Sequence, residues 1–206
     1  MGGIVRTQIL FDTDRENAGL KWQIVPRADL PPTLYEQIVG LCDEAYGEDF
    51  SELMASYEGA THVLGFDAGR LVVHALWVEA GVEVGAGTPM RAAVVEAVAT
   101  RPDRRHRGLG REAMGRLVAE ITSADYDLGV LWAFDSGWYG RLGWERWSGP
   151  VGQVVDGVIE PVVGDDVMIH RLPRTPDLDL SLPLLVDDQA GSGRNGPTAS
   201  ASPGRA

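Results

Sequence analysis

Apolar residues recur along this chain at two spacings, every second position in some stretches and every third or fourth in others, and these periods mark out the elements. Residues 22–25 read as a first short strand. After Pro31 and Pro32, the residues Leu34, Ile38, Leu41, Cys42 and Ala45 recur at helical spacing, and that helix stops near Gly47. Ser51 stands where a cap would start a second short helix running towards Tyr57. Residues 61–66 and 70–82 are β-rich, with Asp67-Ala68-Gly69 as the turn between them. A strand over 91–100 is closed by Pro102. Leu109, Ala113, Met114, Leu117, Val118 and Ile121 then form one face of an amphipathic helix, with Glu112 and Arg116 on the other. Residues 128–132 read as a short apolar strand, 136–142 as a short helix, and the chain returns to β structure from Trp144. This order, β, α, α, three strands, α, β, α, β, predicts one α/β domain whose mixed sheet carries helices on its faces.

The ends read differently. Residues 1–20 lack sustained periodicity and are expected to form a loosely held extension. Residues 190–206 are rich in Gly, Ser, Pro and Ala, cannot bury enough apolar surface to offset the entropy of ordering, and are expected to be disordered. The domain is therefore assigned to 21–189 of the 206 residues, long enough for one well-buried core. The longest apolar run, 71–78, is too short to span a membrane and contains His74. The first residues hold no apolar signal core, and Arg6 stands where a myristoylation signal needs Ser or Thr. Cys42 is the single cysteine, which rules out an internal disulfide. A cytoplasmic protein without a membrane partner is expected.

A net charge of -12 argues against nucleic acid as a partner and fits a cationic one. Within that acidic chain, Arg101, Arg104, Arg105, Arg107 and Arg111 fall in one short stretch with His106, which points to an anionic ligand. The same stretch carries the strongest motif, a strand running into Arg105-His106-Arg107-Gly108-Leu109-Gly110 and then into the amphipathic helix. Glycines 108 and 110 let the backbone approach a ligand, and the unpaired amides of a helix's first turn favour an anion. Three phosphate-binding patterns compete with a merely solvated basic turn. A P-loop needs Lys-Ser/Thr after its last glycine, whereas Arg111 and Glu112 follow Gly110. A dinucleotide fingerprint needs an acid near the end of the next strand, whereas Asp125 and Asp127 precede theirs. The R-x-x-G-x-G acetyl-CoA loop fits, with its strand and long helix in place on either side.

With these residues in view, the segment resembles motif A of the GNAT acetyltransferases, and residues 22–173 follow that family's order of elements. The stretch 138–144, with Tyr139 ahead of Gly143-Trp144, resembles the family's later motif. Within the superfamily the chain is most similar to the aminoglycoside 2'-N-acetyltransferases. The likeness is carried by Tyr46-Gly47-Glu48-Asp49-Phe50, His74-Ala75, the strand around Glu96, and Trp147-Ser148-Gly149-Pro150, with Leu178-Asp179 through Asp187 near the end. It departs from the pattern where an acid and a tryptophan would flank the drug, offering Ser192 and Arg194, and where an aspartate would stand in the second helix, near Met54.

The resemblance implies a mostly antiparallel mixed sheet with a V-shaped opening beside the strand over 91–100. Acetyl-CoA would lie there, its pantetheine arm on backbone groups of Val98 and Thr100 and its pyrophosphate on Arg105, His106, Arg107, Gly108 and Gly110. It implies Glu96 as general base through water, Tyr139 as general acid, and Asp49 as an acceptor contact. Alternation alone puts Glu96 on one face with Val94 and Val98, where a carboxylate must be paired, solvated or lining a cleft. Tyr139 reads equally as packing beside Trp138 and Trp144. Asp43, Glu44, Glu48, Asp49 and Glu52 read first as a solvated helix end and Asp165 and Asp166 as a turn, and all would steer a polyamine if they lined the acceptor cleft. His62, His74, His106 and His170 lack metal-ligand spacing, so no metal is expected. Cys42 lies on a buried helix stripe, which discounts an acetyl-cysteine intermediate. The expected activity is acetyl transfer to an aminoglycoside amine. Another amine acceptor and a non-catalytic acyl-CoA sensor remain open, as does a homodimer.

Overall fold

The structure, a computed structural model, describes residues 19–155, 158–164 and 166–187. Residues 1–18 of the extension expected over 1–20, the tail from 190 onward and Asp165 lie outside the described residues.

Ten strands form one sheet among the described residues: β1 (Lys21–Pro26), β2 (Thr61–Asp67), β3 (Arg70–Val84), β4 (Met90–Thr100), β5 (Leu128–Ala133), β6 (Glu145–Arg146), β7 (Val151–Val155), β8 (Val158–Pro161), β9 (Asp166–Arg171) and β10 (Leu184–Asp187). The helices are α1 (Pro32–Tyr46), α2 (Ser51–Ser56), α3 (Leu109–Ser123) and α4 (Ser136–Gly140). The main path runs β6-β9-β5-β4-β3-β10-β7-β8, while β2 joins β3 and β1 joins β2. Pairing is antiparallel except between β4 and β5 and between β7 and β10. Along one edge β3 takes two neighbours, β2 along its first half and β10 along residues 81–84, while β4 pairs along the other. This is the mixed, mostly antiparallel sheet expected.

Both faces of the sheet are covered. On one, Ile38, Leu41 and Cys42 of α1 and Met54 of α2 pack on Leu64, Leu76, Val78 and Val94. On the other, Leu109, Ala113, Met114, Leu117 and Ile121 of α3 pack on Val73, Ala75, Ala93, Val95 and Leu131. Each fully buried Leu, Ile, Val or Met among them contributes about 1.5–3 kcal/mol by leaving water, the alanines less, and the stripe read from sequence is the stripe that faces the sheet. Pro32 at the first turn and Gly47, left-handed at φ 77°, bound α1. The cap expected at Ser51 is not found. Phe50 holds the cap position without a side-chain bond, and Asp49 Oδ1 accepts from the Ser51 backbone N–H at 2.8 Å.

Two features of β4 shape the site. It pairs with β5 only from Ala92↔Leu128 to Val95↔Leu131, while its pairing with β3 continues to Thr100. Beyond Val95 the two parallel strands part, which opens the expected V. In addition, the step from His74 to Leu76 on β3 is matched by the step from Ala99 back to Glu96 on β4, so β4 carries one extra residue. Ala97 takes it up at φ 50°. This bulge corrects the alternation read from sequence: Val94 packs on the α1 side of the sheet and Val98 on the α3 side, so they do not share a face.

Candidate functional site

The motif loop leaves β4 at Thr100, passes a 3-10 turn at Pro102–Arg104 and enters α3 through Gly108. Gly108 lies at φ 76° and His106 at φ 63°, two left-handed residues that swing the loop into the helix without a side-chain cap. The first amides of α3 are thereby left to an external acceptor. A Cβ on Gly110 would make ordinary contact with Trp138 at 3.4 Å and with Thr100 Oγ1 at 3.5 Å, so α3, α4 and the end of β4 leave room there for little more than that. A separate cavity of about 240 Å³ lies along the same helix, lined by Arg111, Gly115, Arg141 and His170 among others and by none of the expected site residues.

The arginines read as a phosphate cluster are only partly available. Arg101 pairs with Glu44, and Arg104 with Asp67 at 2.8 Å. Arg105 donates through Nη2 to the Ala45 carbonyl at 2.6 Å, which ties the loop to the end of α1. His106 and Arg107 are exposed on the loop.

Glu96 is half-buried on the bulged strand. Tyr139 sits on α4, whose first turn is capped by Asp135 accepting from Trp138 N at 2.9 Å. Its ring meets Trp138 edge-on at 4.7 Å and Trp144 at 6.3 Å, so the packing reading of this residue holds as well. Burial, then the Glu96 carboxylate, then Asp135 push its phenol well above the usual range, so it keeps its proton at neutral pH. That influence of Glu96 places the two candidates in one neighbourhood. Tyr46, at the end of α1, joins them. Its hydroxyl donates to the Val98 carbonyl at 2.8 Å and its ring stacks on Phe50 at 4.4 Å. Burial pushes this phenol up too, with Cys42, Tyr139 and Glu96 adding and Arg105 opposing. Tyr46 was legible only as part of a motif; its contact with a strand fifty residues on had no local signal.

Of the acids expected to meet an acceptor, Asp49 is exposed, and its bonds to Ser51 hold its carboxyl below the usual range. Asp43 accepts from Phe50 N at 2.8 Å and Glu44 is paired with Arg101, so part of the acidic group serves local structure. Asp166 opens β9 rather than a turn and pairs with Arg146. Met54, at the position where the family pattern has an aspartate, is fully buried in the core and has no access to the cleft. The sequence also missed a contact of Cys42, whose Sγ lies 3.8 Å from His74 Nδ1. It is not an activated pair, since burial, with Asp43 adding, pushes the thiol up to about 12 and burial pulls the imidazole down to about 3. Among the described residues, no cluster of three or more His, Cys, Asp or Glu could hold a metal ion, and no helix is long and apolar enough to cross a membrane.

A sequence profile of the acetyltransferase (GNAT) domain matches residues 30–147. The chain belongs to the GNAT N-acetyltransferases, a family of acetyl-CoA-using enzymes. It is 30% identical over 178 residues to the aminoglycoside 2'-N-acetyltransferase of Mycolicibacterium fortuitum, covering 82% of this chain and 89% of that protein. Among solved structures, the GNAT family N-acetyltransferase YhbS of Escherichia coli, in complex with CoA, superposes with a TM-score of 0.60 at 17% identity, covering 86% of this chain and 94% of that one. Eis1 of Mycobacterium abscessus gives 0.55 at 17% identity over 65% of this chain, which spans 33% of Eis1. These structural likenesses concern the fold.

Proposed function

We propose that this chain transfers the acetyl group of acetyl-CoA to the 2'-amine of an aminoglycoside. The observation that carries the chemistry is the gathering of Glu96, Tyr139 and the free edge of β4 where β4 and β5 part. What supports the acceptor is the 30% identity with an aminoglycoside 2'-N-acetyltransferase across most of both chains, with a polycationic substrate suiting an acidic protein.

Bound acetyl-CoA supplies the thioester to be attacked. The edge of β4 that β5 leaves beyond Val95, at Val98 and Thr100, would hold its extended arm as a strand holds a neighbour, although the Val98 carbonyl already accepts from Tyr46. The α3 amides from Gly108 onward would hold its pyrophosphate, with Arg105, His106 and Arg107 around them. Glu96, through water, takes a proton from the acceptor amine, whose nitrogen then bonds to the carbonyl carbon. A backbone N–H near Val98 stabilises the oxyanion. As the C–S bond breaks, Tyr139 gives its proton to the departing sulfur, and the second proton that the nitrogen sheds on becoming an amide returns to the phenolate through solvent. Asp49 is assigned to one of the acceptor's other amines, whereas Asp166, expected beside it, is taken by Arg146. Placing both reactants in one cleft supplies much of the acceleration.

Two substitutions test the roles. Glu96→Gln should lower kcat about 100-fold, the low end for a lost general base, and most at low pH, where the amine most needs deprotonation. Tyr139→Phe should slow the chemical step about tenfold while acetyl-CoA affinity measured by calorimetry stays within about twofold. Full activity in both variants would leave a mechanism of proximity alone. Binding of CoA without thiol release on any amine would make the protein a sensor.

A further inference from the structure

Beneath the bulge of β4 lie two buried titratable side chains that the chemistry above does not use. His62 on β2 and His74 on β3 are both fully buried. The register pairs His62 with Leu76 and Leu64 with His74, so the two are diagonal neighbours on the face packed against α1. His62 Nδ1 lies 2.9 Å from His74 Nε2, and His74 Nδ1 lies 2.8 Å from the Ala97 carbonyl oxygen.

These contacts fix the protons. A carbonyl oxygen can only accept, so His74 Nδ1 carries a hydrogen and donates to Ala97. In the neutral ring His74 Nε2 is then a lone pair, and it accepts from His62 Nδ1–H. The chain ends at His62 Nε2, buried without a partner, which in this tautomer is a lone pair and not an orphaned N–H. Burial keeps both rings neutral, pulling His74 down to about 3 and His62 to about 4.

The carbonyl at the end of this chain belongs to the residue that makes the bulge. Ala97 and Val98 are the residues that the bulge takes out of register with β3. Each has its carbonyl taken by a side chain, Ala97 by His74 and Val98 by Tyr46. Ala97 is held at φ 50°, which its β-carbon disfavours. Glu96 is its immediate neighbour.

We infer that His74, locked in its Nδ1–H tautomer by His62, is a positioning residue for acetyl transfer: through the Ala97 carbonyl it fixes the bulge, and so aims the Glu96 carboxylate and the backbone of Val98. The inference rests on the role assigned to Glu96 above. The full chain tests it with two variants. His74→Leu keeps the volume and removes the donor, whereas His74→Asn returns an N–H close to the place of Nδ1. His74→Leu should lower kcat about tenfold, since small misplacements of reacting groups cost that much or more, and His74→Asn should recover most of the loss. Long-range nitrogen NMR of the parent at pH 7 should show His74 protonated at Nδ1 alone, and the Ala97 and Val98 amide signals should move in His74→Leu. An unchanged kcat in His74→Leu would overturn the inference. So would an Asn variant that regains thermal stability but not kcat, or a parent ring protonated at Nε2. If His74→Leu does not fold, the parent tautomer and the Asn variant decide between these outcomes. A fully active Glu96→Gln would defeat the general-base role alone, because the tautomer and the amide shifts are read without turnover.

Discussion

His62 and His74 give the protein an acid sensitivity that can be traced to two residues. Their folded-state pKa values, about 4 and about 3, lie below the ordinary histidine value because burial penalises the cation. Above pH 6.5 neither the folded nor the unfolded state is charged at these positions, and the depression has no effect on stability. As pH falls through 6.5 the unfolded chain takes up protons that the folded chain refuses, so stability falls until the folded values are reached. Between pH 7 and pH 5 the loss should be about 2 kcal/mol for each histidine. His170, also lowered chiefly by burial, adds a loss of the same sign, whereas Asp49 and Asp179, held low mainly by bonds to the Ser51 and Ser181 side chains, lie below that window. Urea unfolding at the two pH values should show this drop, and His62→Gln should shrink it; a flat profile would contradict the burial of the pair as neutral rings. Glu96 and Tyr139 could be named from the sequence because each stands in a motif with recognisable neighbours. The histidines could not be assigned a role, because strand alternation says nothing of a slip in register, and that slip brings the Ala97 carbonyl to His74.

At the scale of elements, the loop into α3 holds two glycines, at 108 and 110, that matter for different reasons. Gly108 is left-handed at φ 76°, a conformation that costs a residue with a β-carbon roughly 1–2 kcal/mol. Gly110 has an ordinary φ but faces Trp138 and Thr100 at 3.4–3.5 Å, so branches beyond a Cβ would fill the gap between α3 and α4. Gly108→Val and Gly110→Val should each weaken acetyl-CoA binding by about tenfold or more, with the helix itself kept by its buried stripe. Calorimetry giving parental affinity for both variants would move the cofactor elsewhere. The elements up to α4 were legible because their periods are long and their stops are marked, by Pro31 and Pro32, Gly47 and Pro102. Past Trp144 the sequence showed only β character. The strands there are two to six residues long. β10 sits antiparallel to β3 and parallel to β7, a placement decided by contacts a hundred residues away.

For the whole molecule, the fold and the family follow from the order of elements and the match over residues 30–147, while the acceptor depends on a narrower set of groups. The acidic balance of -12 suits a polyamine, yet Asp43, Glu44 and Asp166 are already bonded to other parts of the chain. That leaves Glu48, Asp49 and Glu52 as the exposed acids of that group. Of these, Asp49, bonded to nearby Ser51, is the one proposed to meet the acceptor. A single comparison probes the acceptor and the transfer together. Thiol release from acetyl-CoA is measured with two aminoglycosides that share their other amines, one carrying a 2'-amine and the other a 2'-hydroxyl, and the product is examined by NMR. Release should be rapid with the first and slight with the second, and the acetyl group should sit on the 2'-nitrogen. Equal rates with both compounds, or no transfer to either alongside a good rate on a simple amine, would contradict acetylation of an aminoglycoside 2'-amine.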